Sequence, residues 1–191
     1  HSFCYGGAPR TVVERLPERY AQWILDEATE DLDGLAHTLS SLGVTVHRPE
    51  MMDNSQSFST PDWSSRGWTH YSPRDLLLPL DNLIIETPSP MRSRYFETRA
   101  YYPYLYEQMK AGTEWISAPK PLLTADNYRL GTPQDVTLTN QEIVFDAPNM
   151  VRMGNDILAQ ISNSGNHLGF QWLKTILEPR GYRIHIAEKF Y

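Results

Sequence analysis

Two carboxylates stand where a strand gives way to a turn, and they are the side chains best placed to do chemistry. One is Asp75 in Tyr71-Ser-Pro-Arg-Asp75, the other Asp146 in Val144-Phe-Asp-Ala-Pro-Asn149. An acid fixed at the rim of a buried strand can orient an imidazole or grip a cation. Each also has a plainer role open to it: Asp146 can cap its own turn, and Asp75 can pair with the adjacent Arg74. The single thiol, Cys4, lies between Phe3 and Tyr5 with neither a base nor a positive neighbour, so it reads as an inert small apolar residue. The six histidines (His1, His37, His47, His70, His167, His185) show no metal-ligand spacing and read as structural. Neither a metal nor a cofactor is expected. Ser162-Asn-Ser-Gly-Asn166 could cradle an anion on backbone N–H groups, but helix capping is the stronger reading. No nucleophile elbow, P-loop, dinucleotide fingerprint or EF-hand loop is present.

The elements that must position these acids follow from periodicity. Tyr20, Ile24, Ala28, Leu32, Leu35, Leu39 and Leu42 recur at helical steps, and Gly43 stands where a left-handed cap belongs. Val44–Arg48 alternates as a strand, and a polar loop runs over 50–73. Asp75–Leu80 and Leu83–Glu86 read as a hairpin about the Asp81-Asn82 turn. A helix over 91–111, bent near Pro103, leads to a strand at Trp115–Ala118. After a second loop over 122–140 the order repeats: strands at Glu142–Phe145 and Asp156–Ile161, a helix at Asn166–Leu177, and a last strand at Tyr182–Ala187. Strand, strand, helix, strand thus occurs twice, about 70 residues apart, and such units must share a core. The fold class is α+β with repeated ββαβ units. One partial domain spans 1–191: a lead-in, helix and strand over 1–49, one ββαβ unit over 75–118 and another over 142–187.

With 17 basic and 23 acidic residues among 191, the chain carries a net charge of -6 and no basic run, so a nucleic-acid partner is not expected. One cysteine excludes internal disulfides and a cysteine-based zinc site, and a reducing, cytoplasmic setting is the default. No apolar run reaches the length of a membrane-spanning helix.

Seven segments occur in the order and spacing found in a known family. They are Leu42-Gly-Val-Thr-Val-His-Arg-Pro49, Pro73-Arg-Asp75, Asn82-Leu-Ile-Ile-Glu-Thr-Pro88, Met91-Arg-Ser-Arg-Tyr-Phe-Glu97, Ala118-Pro-Lys-Pro121, Phe145-Asp-Ala147 and Ser164-Gly-Asn-His-Leu-Gly169. Through them the chain resembles the arginine:glycine amidinotransferases and their relatives in antibiotic and cyanobacterial toxin pathways. The resemblance implies a pentein, a propeller of five ββαβ units of which roughly two are complete here. It implies transfer of the amidino group of arginine to an amine through a cysteine-bound intermediate, with a histidine moving protons. By match, Asp146 is the acid that orients and charge-balances that histidine, and Asp75 grips the guanidinium. The family's histidine and nucleophilic cysteine lie beyond the segment matching Tyr182–Ala187, so the resemblance implies that this stretch lacks the nucleophile and is inactive alone. Cys4 does not hold the nucleophile's position. The aromatic residue common six positions before the aspartate of Pro-Arg-Asp is Thr69 here. Open propeller edges imply a second copy or a completing chain as partner. Two other functions remain open, a non-catalytic pentein piece that binds a partner and an arginine deiminase-like guanidine hydrolase.

Overall fold

A computed structural model describes residues 20–129 and 137–188; Cys4 and His1 lie outside them. The chain divides into two compact units between Pro49 and Glu50. The smaller holds helix α1, Gln22–Ser41, which ends before Gly43 at φ +83°. None of its residues is buried. Arg48 reaches back to Asp33 at 2.6 Å. The strand expected over Val44–Arg48 does not form, because none of the described strands pairs with it and an alternating pattern is not a strand without a partner.

The larger unit begins with a short hairpin, β1 (Ser57–Ser59) and β2 (Ser64–Arg66), inside the stretch read as loop. A one-turn helix, α2 (Pro73–Leu76), leads into β3 (Leu77–Leu80). Asp75 therefore sits in a helical turn, not on the strand as expected: Pro73 presets the first helical φ, and the strand starts only two residues later. β3 pairs antiparallel with β4 (Leu83–Glu86) across a turn in which Asp81 takes φ +53°. β3 is an edge strand, the place where Pro79 can lack its N–H without breaking a ladder.

Two 3-10 turns, Arg92–Arg94 and Glu97–Tyr101, precede helix α3 (Tyr102–Lys110), so Pro103 opens a helix rather than bending one. β5 (Glu114–Ser117) then runs parallel to β4. The second sheet repeats the pattern: β6 (Met150–Met153) antiparallel to β7 (Asp156–Gln160), helix α4 (His167–Leu177), and β8 (Arg183–Ala187) parallel to β7. The strand expected at Glu142–Phe145 is a buried irregular segment instead; Val144 and Phe145 are fully buried, yet only a single bridge, Phe145 to Gly165, forms there.

The shared core expected from the repeat is present. Leu80, Leu83 and Ile85 of the first unit pack in one apolar cluster with Phe145, Ile157 and Phe170 of the second. β4 is buried along its whole length, as the central strand of a sheet covered on both sides must be. Asn166 fixes the entry to α4. Its Oδ1 accepts from the Gly169 N–H at 2.8 Å, and its Nδ2 donates to the carbonyls of Thr139 and Glu142, each at 2.7 Å. Capping is thus what Ser162–Asn166 does. Asn166→Ala is expected to cost about 2–4 kcal/mol, the loss of a cap plus two buried carbonyl contacts. A lower urea midpoint with unchanged slope is the checking measurement.

Candidate active site

One short segment ties the backbone beside both acids. After β4 the chain passes through Thr87-Pro88-Ser89, all three buried. Thr87 Oγ1 donates to the Asp75 carbonyl at 2.9 Å and its N–H to the Leu76 carbonyl at 2.8 Å. The Pro88 carbonyl accepts the Phe145 N–H at 3.2 Å, and Ser89 lies close enough to Asp146 to lower its carboxyl. From the other side the Asp146 N–H donates to the Ser164 carbonyl at 2.7 Å. α2 also packs on the 3-10 turn Ala147–Asn149 that follows Asp146. Both backbones are therefore fixed before either side chain is considered.

The plainer roles do not describe these side chains. The turn after Asp146 is closed by its backbone carbonyl, which accepts the Asn149 N–H at 3.2 Å, and the side chain makes no cap hydrogen bond. Asp146 is only 7% exposed, and its Oδ1 has no hydrogen-bond partner. Asp75 pairs not with adjacent Arg74 but with Arg94, whose Nη1 reaches its Oδ2 at 2.5 Å. Arg94 is itself buried and gripped by Glu97, with Nε to Oε2 at 2.6 Å and Nη2 to Oε1 at 2.8 Å, while Nη2 also donates to the Ser72 carbonyl at 3.2 Å.

The electrostatics follow from burial and from the count of charges. Burial pushes the Asp146 carboxyl up to about 7; Ser89 and Arg94 oppose the rise, and Asp75 and Glu97 add to it. Burial works against the Arg94 charge too, but the hydrogen bonds from Glu97 and Asp75 outweigh it and hold the guanidinium above its ordinary range. Burial raises the Glu97 carboxyl, and the Arg94 fork pulls it back. Two carboxyls thus pair with one guanidinium, and a third, Asp146, lies within its field without bonding to it. A buried anionic oxygen without a partner is stable only when neutral or when a cation arrives. An arrangement with one more carboxyl than it pairs can accept a further cation.

A cavity of about 690 Å³ opens among Glu86, Tyr95, Thr98, Arg99, Tyr102 and Lys120. Neither Asp75 nor Asp146 lines it. His167 and His185 are taken up in exposed pairs with Gln171 and Asp156, at 2.9 and 2.8 Å. Among the described residues no group of three or more His, Cys, Asp or Glu is placed to hold a metal ion. No described helix is long and apolar enough to cross a membrane.

No protein-family profile matches the chain. Individual relatives do. The inosamine-phosphate amidinotransferase 1 of Streptomyces griseus is 44% identical over 179 residues, which is 93% of this chain and 51% of the relative. The L-arginine:L-lysine amidinotransferase of Pseudomonas savastanoi pv. phaseolicola is 40% identical over 176 residues, 88% of this chain and 48% of its own length. The chain belongs to the amidinotransferase family. A solved structure of an amidinotransferase, the inosamine-phosphate enzyme of S. griseus, matches it with a TM-score of 0.90 at 42% identity, covering 98% of this chain and 53% of that one. The two ββαβ units are accordingly units of the amidinotransferase (pentein) fold, and the chain spans about half the length of the amidinotransferases it matches.

The family motifs fall on the segments that build the cluster: Pro73–Asp75 forms α2, Phe145–Ala147 the turn, and Ser164–Gly169 its support. Arg94 and Glu97 lie inside one of those motifs, but the residues alone gave them no role. A signal was present all the same: opposite charges three apart, with Tyr95 and Phe96 between them, can be buried only as a pair. Ser89, a small hydroxyl between two prolines, left no comparable trace.

Proposed function

We propose that this chain supplies the acidic part of an amidinotransferase centre, with Asp75 gripping the guanidinium of arginine and Asp146 serving the histidine that moves protons. The observation that carries the reading is the buried, unpartnered Oδ1 of Asp146 beside a cluster in which Asp75 and Glu97 already hold the Arg94 guanidinium. The thiolate and the imidazole belong to the half of the relatives' length that this chain does not span. In the reaction the thiolate attacks the planar guanidinium carbon, the bond from that carbon to the side-chain nitrogen breaks, and the imidazole protonates that nitrogen as ornithine leaves. The acceptor amine then attacks the thiol-bound amidino carbon, its proton passes to the imidazole, and the thiolate is expelled. Asp146 keeps the imidazole oriented and offsets the positive charge that forms on it. Asp75 holds the amidino group in plane through both steps, since a carboxylate matches the edge of a guanidinium. The proposed setting is cytoplasmic, and a second copy or a further stretch of chain covers the open sheet edges.

The test uses the full-length gene product and arginine labelled in the guanidino carbon, with glycine, lysine or an aminocyclitol as acceptor. Ornithine formed only when an amine is present, with label in that amine, is the expected result. Labelled citrulline or urea would replace the reading with hydrolysis. No turnover together with a stable complex with another subunit would replace it with a binding role.

A further inference from the structure

We infer that Arg94 is the positioning residue of the guanidinium clamp, and that Glu97 is what keeps it from closing the clamp itself. The inference rests on the proposed function above and goes beyond it to a pair that neither motif nor reaction scheme assigns. A free arginine beside a buried aspartate would form the two-pronged pair that a substrate guanidinium is meant to form, and the site would block itself. Here that does not occur. Glu97 takes the Nε and Nη2 edge of Arg94 in a two-pronged pair, at 2.6 and 2.8 Å. Nη2 is further used on the Ser72 carbonyl at 3.2 Å. Only Nη1 is left for Asp75, and it touches a single oxygen, Oδ2, at 2.5 Å.

The result is a carboxylate pinned by one oxygen with Oδ1 left over. Asp75 is 26% exposed at its side chain whereas Arg94 and Glu97 are 8% and 3%, so the exposed part of the triad is the acid that would meet the substrate. The pinning is rigid because each partner is rigid. Ser72 precedes α2, the Asp75 carbonyl is tied to Thr87, and Glu97 lies in the 3-10 turn that ends at Tyr101. Tyr101, also buried, donates its hydroxyl to the His70 carbonyl at 2.7 Å, which fixes the strap before Ser72. Lysine could keep the charge at position 94 but could not serve both carboxylates and the carbonyl from one planar fork.

The test is steady-state kinetics of the full-length gene product and its Arg94→Lys and Glu97→Gln variants, varying arginine and the acceptor amine separately. Both variants are expected to raise KM for arginine about tenfold or more, the usual weight of a charge-assisted hydrogen bond. KM for the amine should stay near that of the unaltered protein; the melting temperature should fall, because each variant weakens a buried pair, so the kinetics are compared well below the variants' melting range. Arg94→Lys loses the geometry and Glu97→Gln lets Arg94 turn onto Asp75, so the two reach the same outcome by different routes. Unchanged arginine KM in both variants would overturn the inference. Equal rises in both KM values would also overturn it, since they would mean a merely structural pair. If the unaltered protein does not transfer an amidino group at all, it is the underlying function that fails, and the inference with it.

Discussion

Asp146→Asn is expected to lower amidino transfer by about 10³-fold or more while leaving the protein folded and, above pH 7, more stable than before. The kinetic half follows from the role: an acid that orients an imidazole and balances its charge contributes about three to four orders of magnitude in comparable Cys/Ser–His–Asp arrangements. The stability half follows from burial. In the unfolded chain this carboxyl titrates near its ordinary 3.8, and in the folded chain burial moves it to about 7. Between those values the folded state binds more protons than the unfolded one, so stability falls as pH rises through that window and levels off above it. At roughly 1.4 kcal/mol per pH unit the total is on the order of a few kcal/mol. Asparagine cannot ionise and escapes the loss. Denaturant melts of both proteins at several pH values should agree near pH 4 and diverge by pH 8, with the asparagine variant ahead. A variant with near-normal turnover would remove Asp146 from the mechanism.

Asp75→Ala is expected to act on the other side of the kinetics, raising KM for arginine about 100-fold with a smaller effect on kcat. Removing one partner of a desolvated charge pair costs about 2–5 kcal/mol, and most of that falls on the group left unpaired. Here the incoming guanidinium loses its partner and so does Arg94 Nη1, although Arg94 keeps its Nε and Nη2 prongs on Glu97. Initial rates with arginine varied at saturating amine measure the effect; unchanged arginine saturation would contradict the role.

The two acids were legible in the sequence as residues at chain turns, Asp75 between Pro73 and the apolar run Leu76–Leu78, and Asp146 between the apolar run Ile143–Phe145 and Pro148; the burial of Asp146 was not. The doubled strand, strand, helix, strand order was legible for a similar reason: Gly112 and Gly181, at φ +102° and +88°, close the helical stretches before each last strand. What misled was apolarity without a ladder. Ile143-Val-Phe145 reads as a strand, yet its hydrogen bonds run to the Pro88 carbonyl and from the Asn166 N–H, so it is a buried brace for Asp146. The true hairpin partner of β7 is β6, and its turn, Gly154-Asn155 with Gly154 at φ +63°, is a hairpin signal that the sequence did carry. The Arg94–Glu97–Asp75 linkage was not legible from residue types, since it joins positions 19 apart through the geometry of a planar fork.

The central physical claim is that a flat cation gripped by Asp75 enters the cluster that holds Asp146, a carboxyl which burial has left half protonated near pH 7. Titration calorimetry of arginine into the protein at pH 7, in buffers of different ionisation enthalpy, tests it without requiring turnover. Binding should release protons, up to about half a proton per site at pH 7, because the arriving charge draws the Asp146 carboxyl back down; the release should vanish in Asp146→Asn. Binding with no proton released by the unaltered protein, or with the same release in the variant, would contradict the account.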